Sequence, residues 1–242
     1  MTNPAGTVFR MTPAGDVTTL YTFDFQLTGD TPFAGVIDPG DGKLYGTTRG
    51  TGAYLGNVFR VGSGFLDLHG FSGYFLGQDG SHSEAGLALG DDGKLYGTTT
   101  DGGASNIGTV FRVATDGTGY VILHSFTGLL GPASGFTPRG GLVKGSDGNF
   151  YGTTSGGSGS PGTVFRITPA GALTTIHTFV ASEGSFPYST LVLASDDRLY
   201  GTTSAGGAHG RARCTASEWM GAASRTSIRS IPRRARDPSR RA

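Results

Sequence analysis

Cysteine, charge and long apolar runs are all scarce in this sequence of 242 residues. Its one cysteine, Cys214, lies close to the C-terminus, so residues 1–208 can form no disulfide and have no thiol chemistry. No run approaches the ~18 apolar residues of a membrane span, and we expect no membrane insertion. Residues 1–6 contain neither the basic nor the apolar region of a signal peptide, so the sequence predicts that none is present in this chain.

Charged residues are few, and they are unevenly distributed. Residues 1–208 contain 10 Lys and Arg against 16 Asp and Glu, whereas residues 209–242 contain nine Arg against Glu218 and Asp237. A basic tail can bind nucleic acid or membranes, but this one lacks interleaved aromatic residues and helical periodicity. We therefore expect no nucleic-acid partner, and we expect the tail 209–242 to be disordered.

Glycine is abundant instead, at 44 residues, and two glycine-containing phrases recur four times. Phrase one, Gly-x-Val-Phe-Arg, stands at Gly6–Arg10, Gly56–Arg60, Gly108–Arg112 and Gly162–Arg166. Phrase two, Leu/Phe-Tyr-Gly-Thr-Thr, stands at Leu44–Thr48, Leu95–Thr99, Phe150–Thr154 and Leu199–Thr203. Phrase one recurs after 50, 52 and 54 residues. Such a period, built from short β-type runs, is typical of β-propellers and comparable β-arrays.

Each repeat contains four short strand signals. Residues 140–179 show the pattern. An apolar run at 141–145 is the first strand, and the hairpin signal Asp147-Gly148 follows it. Phrase two supplies the second strand, phrase one supplies the third, and residues 173–179 supply the fourth. Four antiparallel strands joined by tight turns make one propeller blade. The sequence therefore predicts an all-β chain, a β-propeller of four-stranded antiparallel blades with a disordered C-terminal tail.

The propeller region is expected to occupy residues 1–208. It divides into a partial blade at about 6–23, full blades at about 33–71, 84–126 and 140–179, and a partial blade at about 189–204. We expect the two partial blades to pair and close a four-bladed ring, which hides both sheet edges; the alternative is an open arc. Six apolar side chains should be buried at equivalent places: Val58, Val110, Val164, Phe71, Phe126 and Phe179.

The pairing of an apolar-x-x-x-Asp-Gly-x-Leu-Tyr-Gly-Thr-Thr run with Gly-Thr-Val-Phe-Arg resembles the GloVer (Gloeo-Verruco) tandem repeat over roughly residues 6–208. More loosely, the blades resemble NHL and kelch units. The resemblance implies a large, exported bacterial protein with one of several C-terminal anchors, and hence an extracellular or cell-surface location. No export signal or anchor is recognised in this chain.

The tail departs from the repeat at the point where a further phrase one is due. Trp219, Met220 and Gly221 can only be encoded by TGG, ATG and GGN, and one base earlier these bases read GAT-GGG, which encodes Asp-Gly. Permitted codons in that frame give AVYRVGVDGRGFANLHSF, which is close to GTVFRVATDGTGYVILHSF of the third repeat. We hypothesise that residues after about 209 are frameshifted.

Two repeated sets of basic side chains are candidates for a site. Three histidines could bind a metal ion, but on an outer strand they would diverge, and a structural role is favoured; they are His69, His124 and His177. Four arginines could hold an anion, but satisfying carbonyl groups or a carboxylate between neighbouring blades is favoured; they are Arg10, Arg60, Arg112 and Arg166.

Two further repeated sets have plainer explanations. The pairs Asp41-Gly42, Asp92-Gly93 and Asp147-Gly148 are interpreted as hairpin turns rather than calcium loops, because a calcium site needs several oxygen ligands at alternating spacing. Four tyrosines should pack and donate hydroxyl hydrogen bonds between blades, because a catalytic residue would not recur in every repeat; they are Tyr45, Tyr96, Tyr151 and Tyr200.

Among residues that do not recur, none suggests a nucleophile with its base, a carboxylate pair or a metal cluster, and His82, Glu84 and Glu183 stand isolated in variable loops. No catalytic, cofactor-binding or metal-binding residue is therefore assigned, no cofactor is expected, and the ligand-binding residues stay unknown. The sequence favours a non-catalytic, secreted or cell-surface fragment that acts in recognition or scaffolding, with a protein or carbohydrate ligand at its variable loops. The alternatives are a propeller enzyme of lyase, lactonase or glycosidase type whose catalytic residues lie outside this fragment, and a purely structural spacer.

Overall fold

The computed structural model describes residues 4–24, 31–51, 54–73, 79–128, 135–156, 161–207, 213–217 and 229–230. All regular structure within these ranges is β-strand, which confirms the all-β prediction. The same ranges contain no helix long and apolar enough to cross a membrane.

The described strands form six sheets. Five of them follow one another along the chain and are named here the half-blade and blades 1 to 4. The half-blade consists of β1 (Pro4–Met11) and β2 (Val17–Asp24), and blade 1 of β3 (Leu44–Thr48), β4 (Asn57–Val61) and β5 (Phe65–Gly70). Six strands follow, β6 (Gly80–Ser81), β7 (Ala88–Leu89), β8 (Leu95–Thr99), β9 (Asp101–Gly102), β10 (Thr109–Val113) and β11 (Val121–Ser125). Of these, β6 pairs with β9, and the other four make blade 2.

Blades 3 and 4 are formed by the second half of the chain. Blade 3 consists of β12 (Val143–Lys144), β13 (Phe150–Thr154), β14 (Thr163–Ile167) and β15 (Leu173–Thr178). Blade 4 consists of β16 (Val192–Leu193), β17 (Leu199–Thr203), β18 (Arg213–Ser217) and β19 (Arg229–Ser230). Every pair is antiparallel. Blades 2 and 3 have the four strands predicted, whereas blade 4, predicted as a partial blade at about 189–204, also has four. In blade 1 the inner strand is reduced to one bridge between Ile37 and Tyr45.

The two phrases recur together because they are cross-strand partners. In blade 3, Gly152 of phrase two pairs with Phe165 of phrase one. A Cβ atom on Gly152 would lie 2.6 Å from Phe165 Cζ, so the Phe165 ring occupies the space that a side chain at position 152 would need. The same pairing joins Gly46 to Phe59 in blade 1 and Gly97 to Phe111 in blade 2.

The core lies between successive blades. Phe165 of blade 3 packs in a cluster with Tyr96, Val110 and Phe126 of blade 2, whereas the adjacent Val164 packs in a cluster with residues of blade 4. Phrase one therefore directs its Phe towards the preceding blade and its Val towards the following blade. The six side chains predicted to be buried are all at most 6% exposed, which confirms the strand phasing.

The predicted hybrid blade is wrong. The neighbours of β17 are β16 and β18, and among the described residues the sheet of the half-blade consists of β1 and β2. The half-blade instead packs on blade 1, where Val8 and Phe23 join Phe59 and Val61 in one cluster. The physical reason is that β18 already occupies the edge of β17 that β1 would need.

Two parts of the tail differ from the expectation of disorder. Residues 213–217 form β18, which pairs with β17 in the register that phrase one has elsewhere, Thr203 opposite Arg213 and Leu199 opposite Ser217. Residues 229–230 form β19, which pairs with β18. Backbone hydrogen bonds need no particular side chains, so the exposed edge of β17 can recruit this segment. The rest of 208–242 lies outside the described residues, and the frameshift stays a hypothesis.

Candidate functional site

A repeated backbone clasp holds the chain where it enters each blade. His82, at φ 56°, shows the arrangement. Its N–H donates to the carbonyl of Leu55, just before phrase one (2.9 Å), and its carbonyl accepts from the N–H of Thr100, just after phrase two (3.2 Å). The same pair of bonds and the same positive φ recur at Thr31, Thr137 and Phe186.

The clasp presents a different side chain in each repeat. Two residues after the clasp position the four repeats place Phe33, Glu84, Arg139 and Tyr188, and directly after phrase two they place Arg49, Thr100, Ser155 and Ser204. The backbone is therefore constant while the side chains vary, as expected of a surface that carries specificity on a rigid scaffold.

Five of these side chains form a continuous row, named here the Arg–Glu–Arg strip: Phe33, Arg49, Glu84, Arg139 and Tyr188. The Glu84 carboxylate accepts from Arg49 Nε at 3.0 Å and from Arg139 Nη1 at 3.2 Å. The Arg49 guanidinium lies 5.9 Å from the ring centre of Phe33, and that of Arg139 lies 5.2 Å from that of Tyr188. Charge pairing and cation–π contact thus hold the row together.

The two ends of the strip are exposed and aromatic. Phe33 is 64% exposed and Tyr188 is 45% exposed, while the side chain of Glu84 at the centre is only 18% exposed. Phe186 stacks on Tyr188 with ring centres 6.3 Å apart, which enlarges the aromatic end. Since large exposed aromatic side chains are costly to leave in water, such a surface suits binding.

A histidine–carboxylate pair lies beside the strip. His82 Nδ1 is 3.0 Å from Asp101 Oδ2, and the Thr100 hydroxyl donates to the same carboxylate at 3.2 Å. The hydrogen bond from His82 is the largest cause of a lowered Asp101 pKa, and Arg49 lowers that pKa further. The pair orients the imidazole ring.

The repeated histidines lie on the outer strands of separate blades. Each stacks edge-on against the Phe two residues later, with ring centres 5.6, 5.0 and 5.0 Å apart for His69, His124 and His177. His69 Nε2 contacts Asp79 Oδ2 at 2.9 Å, whereas His177 Nε2 contacts Glu183 Oε2 at 3.1 Å. The three therefore do not meet. In the part of the chain that is described, no group of three or more His, Cys, Asp or Glu could hold a metal ion.

The arginine and tyrosine sets serve the blades themselves. Arg112 Nη1 donates to the Pro169 carbonyl of the next blade at 3.3 Å, which supports the predicted role between blades. The Tyr96 ring stacks on Phe150 of the next blade at 4.1 Å, but its hydroxyl donates to Asp92 of its own hairpin at 3.1 Å. Each hairpin thus brings its Asp beside its own Tyr, an arrangement that the prediction of hydroxyl bonds between blades did not include. The same bond recurs in Tyr45–Asp41, Tyr151–Asp147 and Tyr200–Asp196. Tyr45 also has a side-chain hydrogen bond with Thr115 of blade 2, as that prediction requires.

The repeated aspartates close their hairpins, as interpreted from the sequence. Asp147 Oδ1 accepts from the Asn149 N–H at 3.1 Å, the bond that defines such a turn. Near the hairpins of blades 3 and 4 a shallow cleft is lined by Tyr151, Leu193 and Asp197. It lies at the other end of the inner strands from the strip.

Sequence reasoning missed the strip. Glu84 stands isolated in the sequence, whereas the structure brings it between two arginines that lie 35 and 55 residues away in the chain. A signal was available, because Pro32, Pro138 and Pro187 follow the clasp residue in three repeats and mark the position at which the side chains vary. Glu183 also stands isolated in the sequence, and the structure pairs it with His177.

The comparisons with known proteins agree with this architecture. The family model described as Gloeobacter/Verrucomicrobia repeat matches residues 1–214. The chain belongs to this family. No curated protein sequence matches the chain significantly.

Solved structures share the fold at low sequence identity. A chain of a nidogen/laminin complex is similar at TM-score 0.55 and 16% identity, over 88% of this chain and 71% of that one. TolB from Acinetobacter baumannii is similar at TM-score 0.53 and 13% identity, over 88% of this chain and 46% of TolB. A putative gluconolactonase is similar at TM-score 0.51 and 15% identity, over 85% of this chain and 68% of that chain. The Gloeobacter/Verrucomicrobia repeat chain thus has a β-propeller-like fold.

Proposed function

We propose that this repeat chain is a non-catalytic recognition module of a secreted or cell-surface protein, and that the Arg–Glu–Arg strip binds a protein partner. The observation that carries the proposal is the clasp, which repeats one backbone geometry four times and places a different side chain on it each time. A spacer needs constant contacts between blades and gains nothing from variation at these positions. The family resemblance supports the exported location.

The composition of the strip favours a protein partner over a carbohydrate. Tyr, Phe and Arg are enriched at protein interfaces, and Tyr and Arg dominate binding hot spots. Tyr188 and Arg139 already contact each other, and Glu84 fixes Arg139 from the other side. Because these side chains are held before binding, little conformational entropy is lost when a partner docks.

The same contacts make Glu84 a poor catalytic base. Each of its oxygens already accepts a hydrogen bond from a guanidinium group. A general acid or base must be within hydrogen-bond reach of the substrate. The geometry instead fits a role in which the Glu84 carboxylate holds the side chains of Arg49 and Arg139 in place.

The test is selection of binders against the full chain from a random peptide library, with a glycan array screened in parallel. Peptides that bind through the strip should lose roughly 30-fold or more in affinity to Tyr188→Ala or Arg139→Ala, the loss typical of a hot spot. Val121→Ala, at an exposed position on the outer strand β11, is the matched control and should change nothing.

Three results would overturn the proposal. Binding that is unchanged in both strip variants would exclude the strip as the site. Glycan binding without peptide binding would exclude a protein partner. Turnover of a lactone or an aryl glycoside by the chain, lost in a Glu84→Gln or His82→Ala variant, would replace recognition with catalysis.

A further inference from the structure

The two arginines of the strip are held in the same way, but their charges are not compensated to the same degree. Both donate to Glu84, and each guanidinium lies over an aromatic ring. A second carboxylate lies near Arg49, whose charge lowers the pKa of Asp101. Arg139 has Glu84 as its one ionic partner among the described residues, and residues 117–146 of the sequence contain no Asp or Glu. Because Glu84 is shared, the charge of Arg139 is the less compensated of the two.

The free donors of the two guanidinium groups also differ. Arg49 uses Nε for its bond to Glu84, whereas Arg139 uses Nη1. A carboxylate binds a guanidinium most strongly through two parallel N–H···O bonds, and Nε and Nη2 form such a pair on one edge of the group. In Arg139 this pair has no partner among the described residues. The side chain of Arg139 is 46% exposed against 35% for Arg49, so it is also the more accessible of the two.

An exposed aromatic surface adjoins the free edge of Arg139. The Tyr188 ring lies under the guanidinium, and Phe186 stacks on Tyr188. Both rings are more than one-third exposed. A group bound to Arg139 therefore lies beside apolar surface, where a charge-assisted hydrogen bond is less weakened by water than on an open polar surface.

We propose, on the basis of the function proposed above, that the protein partner presents an acidic side chain to Arg139, next to an apolar side chain that packs on Tyr188 and Phe186. The carboxylate of the partner binds the Nε–Nη2 edge of Arg139. Arg49, whose charge two carboxylates oppose, does not bind this acid. A single free edge matches a single carboxylate, whereas phosphorylated motifs are recognised by clusters of arginines.

The overall charge of the repeats makes this contact a local one. Residues 1–208 contain 16 acidic against 10 basic residues, so most of the surface repels an acidic segment and Arg139 supplies the exception. Charge complementarity of this kind contributes to register and specificity more than to raw affinity. The acidic side chain therefore determines where on the strip the partner segment lies.

A double-mutant cycle on the full chain tests the contact. The probes are synthetic peptides with the sequences selected against the strip, each paired with a neutral copy in which Gln replaces Glu and Asn replaces Asp. On the unmodified chain the neutral copy should bind about 10-fold more weakly, because the lost hydrogen bonds are charge-assisted. On Arg139→Gln the two copies should bind within about two-fold of each other. Fluorescence anisotropy titrations measure each affinity, and circular dichroism checks that each variant is folded.

Arg49→Gln is the matched control, because Arg49 also bonds Glu84 and also lies over a ring. The difference between the acidic peptide and its neutral copy should persist there at about 10-fold, whatever the variant does to the affinity of both. Arg139→Lys keeps the charge without the two parallel donors and should retain only part of the difference. It also serves as the second variant where Arg139→Gln binds too weakly to measure.

The outcomes separate this inference from the proposed function. Neutral copies that bind as well as the acidic peptides, with binding still lost in Tyr188→Ala, would overturn the acidic partner and leave the proposed function standing. A difference that persists in both Arg139 variants, or that disappears in Arg49→Gln, would overturn the assignment of the carboxylate to Arg139. A selection that yields no strip-dependent peptide would overturn the proposed function and this inference with it.

Discussion

Asp79 shows at the residue scale how two blades are locked together. It is 7% exposed, its Oδ2 contacts His69 Nε2 of blade 1 at 2.9 Å, and its Oδ1 accepts from the Tyr120 hydroxyl at 2.6 Å. His69 and Tyr120 stack with ring centres 3.4 Å apart. Burial alone would raise the pKa of Asp79, but the hydrogen bonds from His69 and Tyr120 outweigh it and lower the pKa to about 2.

A pH-dependent loss of stability follows from this pKa. Because the folded pKa lies below the ordinary value of 3.8, the contribution of Asp79 is fully present above that pH and is lost as the pH falls towards about 2. Asp79→Asn should lower the free energy of unfolding by roughly 1–3 kcal/mol at neutral pH. Urea titrations between neutral and acid pH should show this difference shrinking as the pH falls. Asp116→Asn, in an exposed turn, is the control, and a difference independent of pH would contradict the assignment.

Substitution can also test whether the glycine of phrase two makes room for the Phe ring of phrase one. In Gly152→Ala the new Cβ would lie 2.6 Å from Phe165 Cζ and 3.0 Å from Leu142 Cδ2, both in a packed cluster. We expect a loss of roughly 1–3 kcal/mol in unfolding free energy from overpacking. Gly64→Ala, where the added Cβ has nothing within 4 Å, should be nearly neutral. Recovery in Gly152→Ala/Phe165→Leu would confirm the ring as the cause, and an equal effect at both glycines would exclude it.

At the scale of elements, β18 has the backbone position of phrase one without its side chains. It pairs with β17 as β10 pairs with β8, but its five residues are Arg-Cys-Thr-Ala-Ser instead of Thr-Val-Phe-Arg-Val. Replacing residues 213–217 with Thr-Val-Phe-Arg-Val should raise the melting temperature, because it gives Thr203 a hydroxyl partner and Gly201 a ring.

The matched control carries Thr-Val-Ala-Arg-Val at 213–217 and should gain clearly less, since burying a Phe is worth about 1.5–3 kcal/mol. Thermal unfolding by circular dichroism at one protein concentration measures both. No gain from the full phrase would mean that β18 does not sit in the register of phrase one. The frameshift hypothesis is independent of this result and is tested by the DNA sequence that encodes residues 209–242 and its flanks.

At the scale of the whole molecule, each blade packs on its neighbours in the sequence. Four hydrophobic clusters join the half-blade to blade 1, blade 1 to blade 2, blade 2 to blade 3 and blade 3 to blade 4. Because successive interfaces use equivalent residues, the stability of such an array is nearly a sum of repeat and nearest-neighbour terms.

Deleting one repeat in phase should therefore leave a folded chain. Removal of residues 71–125 joins Gly70 to Phe126 and brings blade 3 against blade 1, whose facing side chains are equivalent to those of blade 2. We expect a β-rich circular dichroism spectrum and a single cooperative unfolding transition. Removal of 71–98, which leaves β9, β10 and β11 without their inner strands, is the control and should unfold readily. Loss of structure in both chains would show that longer-range contacts hold the array.

The sequence by itself determined the strands, the blades and their core. The signals that predict them are the two phrases, the buried positions such as Val110 and Phe126, and the Asp-Gly turns. Each signal acts over a few residues and recurs along the chain, so the period and the residue types were enough to predict the blades. Only the tertiary structure decided which strand pairs with the edge of β17. Both β1 and β18 could form the same backbone hydrogen bonds there, and local side-chain patterns do not specify the choice between them. It alone also assembled the strip, because Arg49, Glu84 and Arg139 are brought together by the packing of successive blades and not by any local pattern.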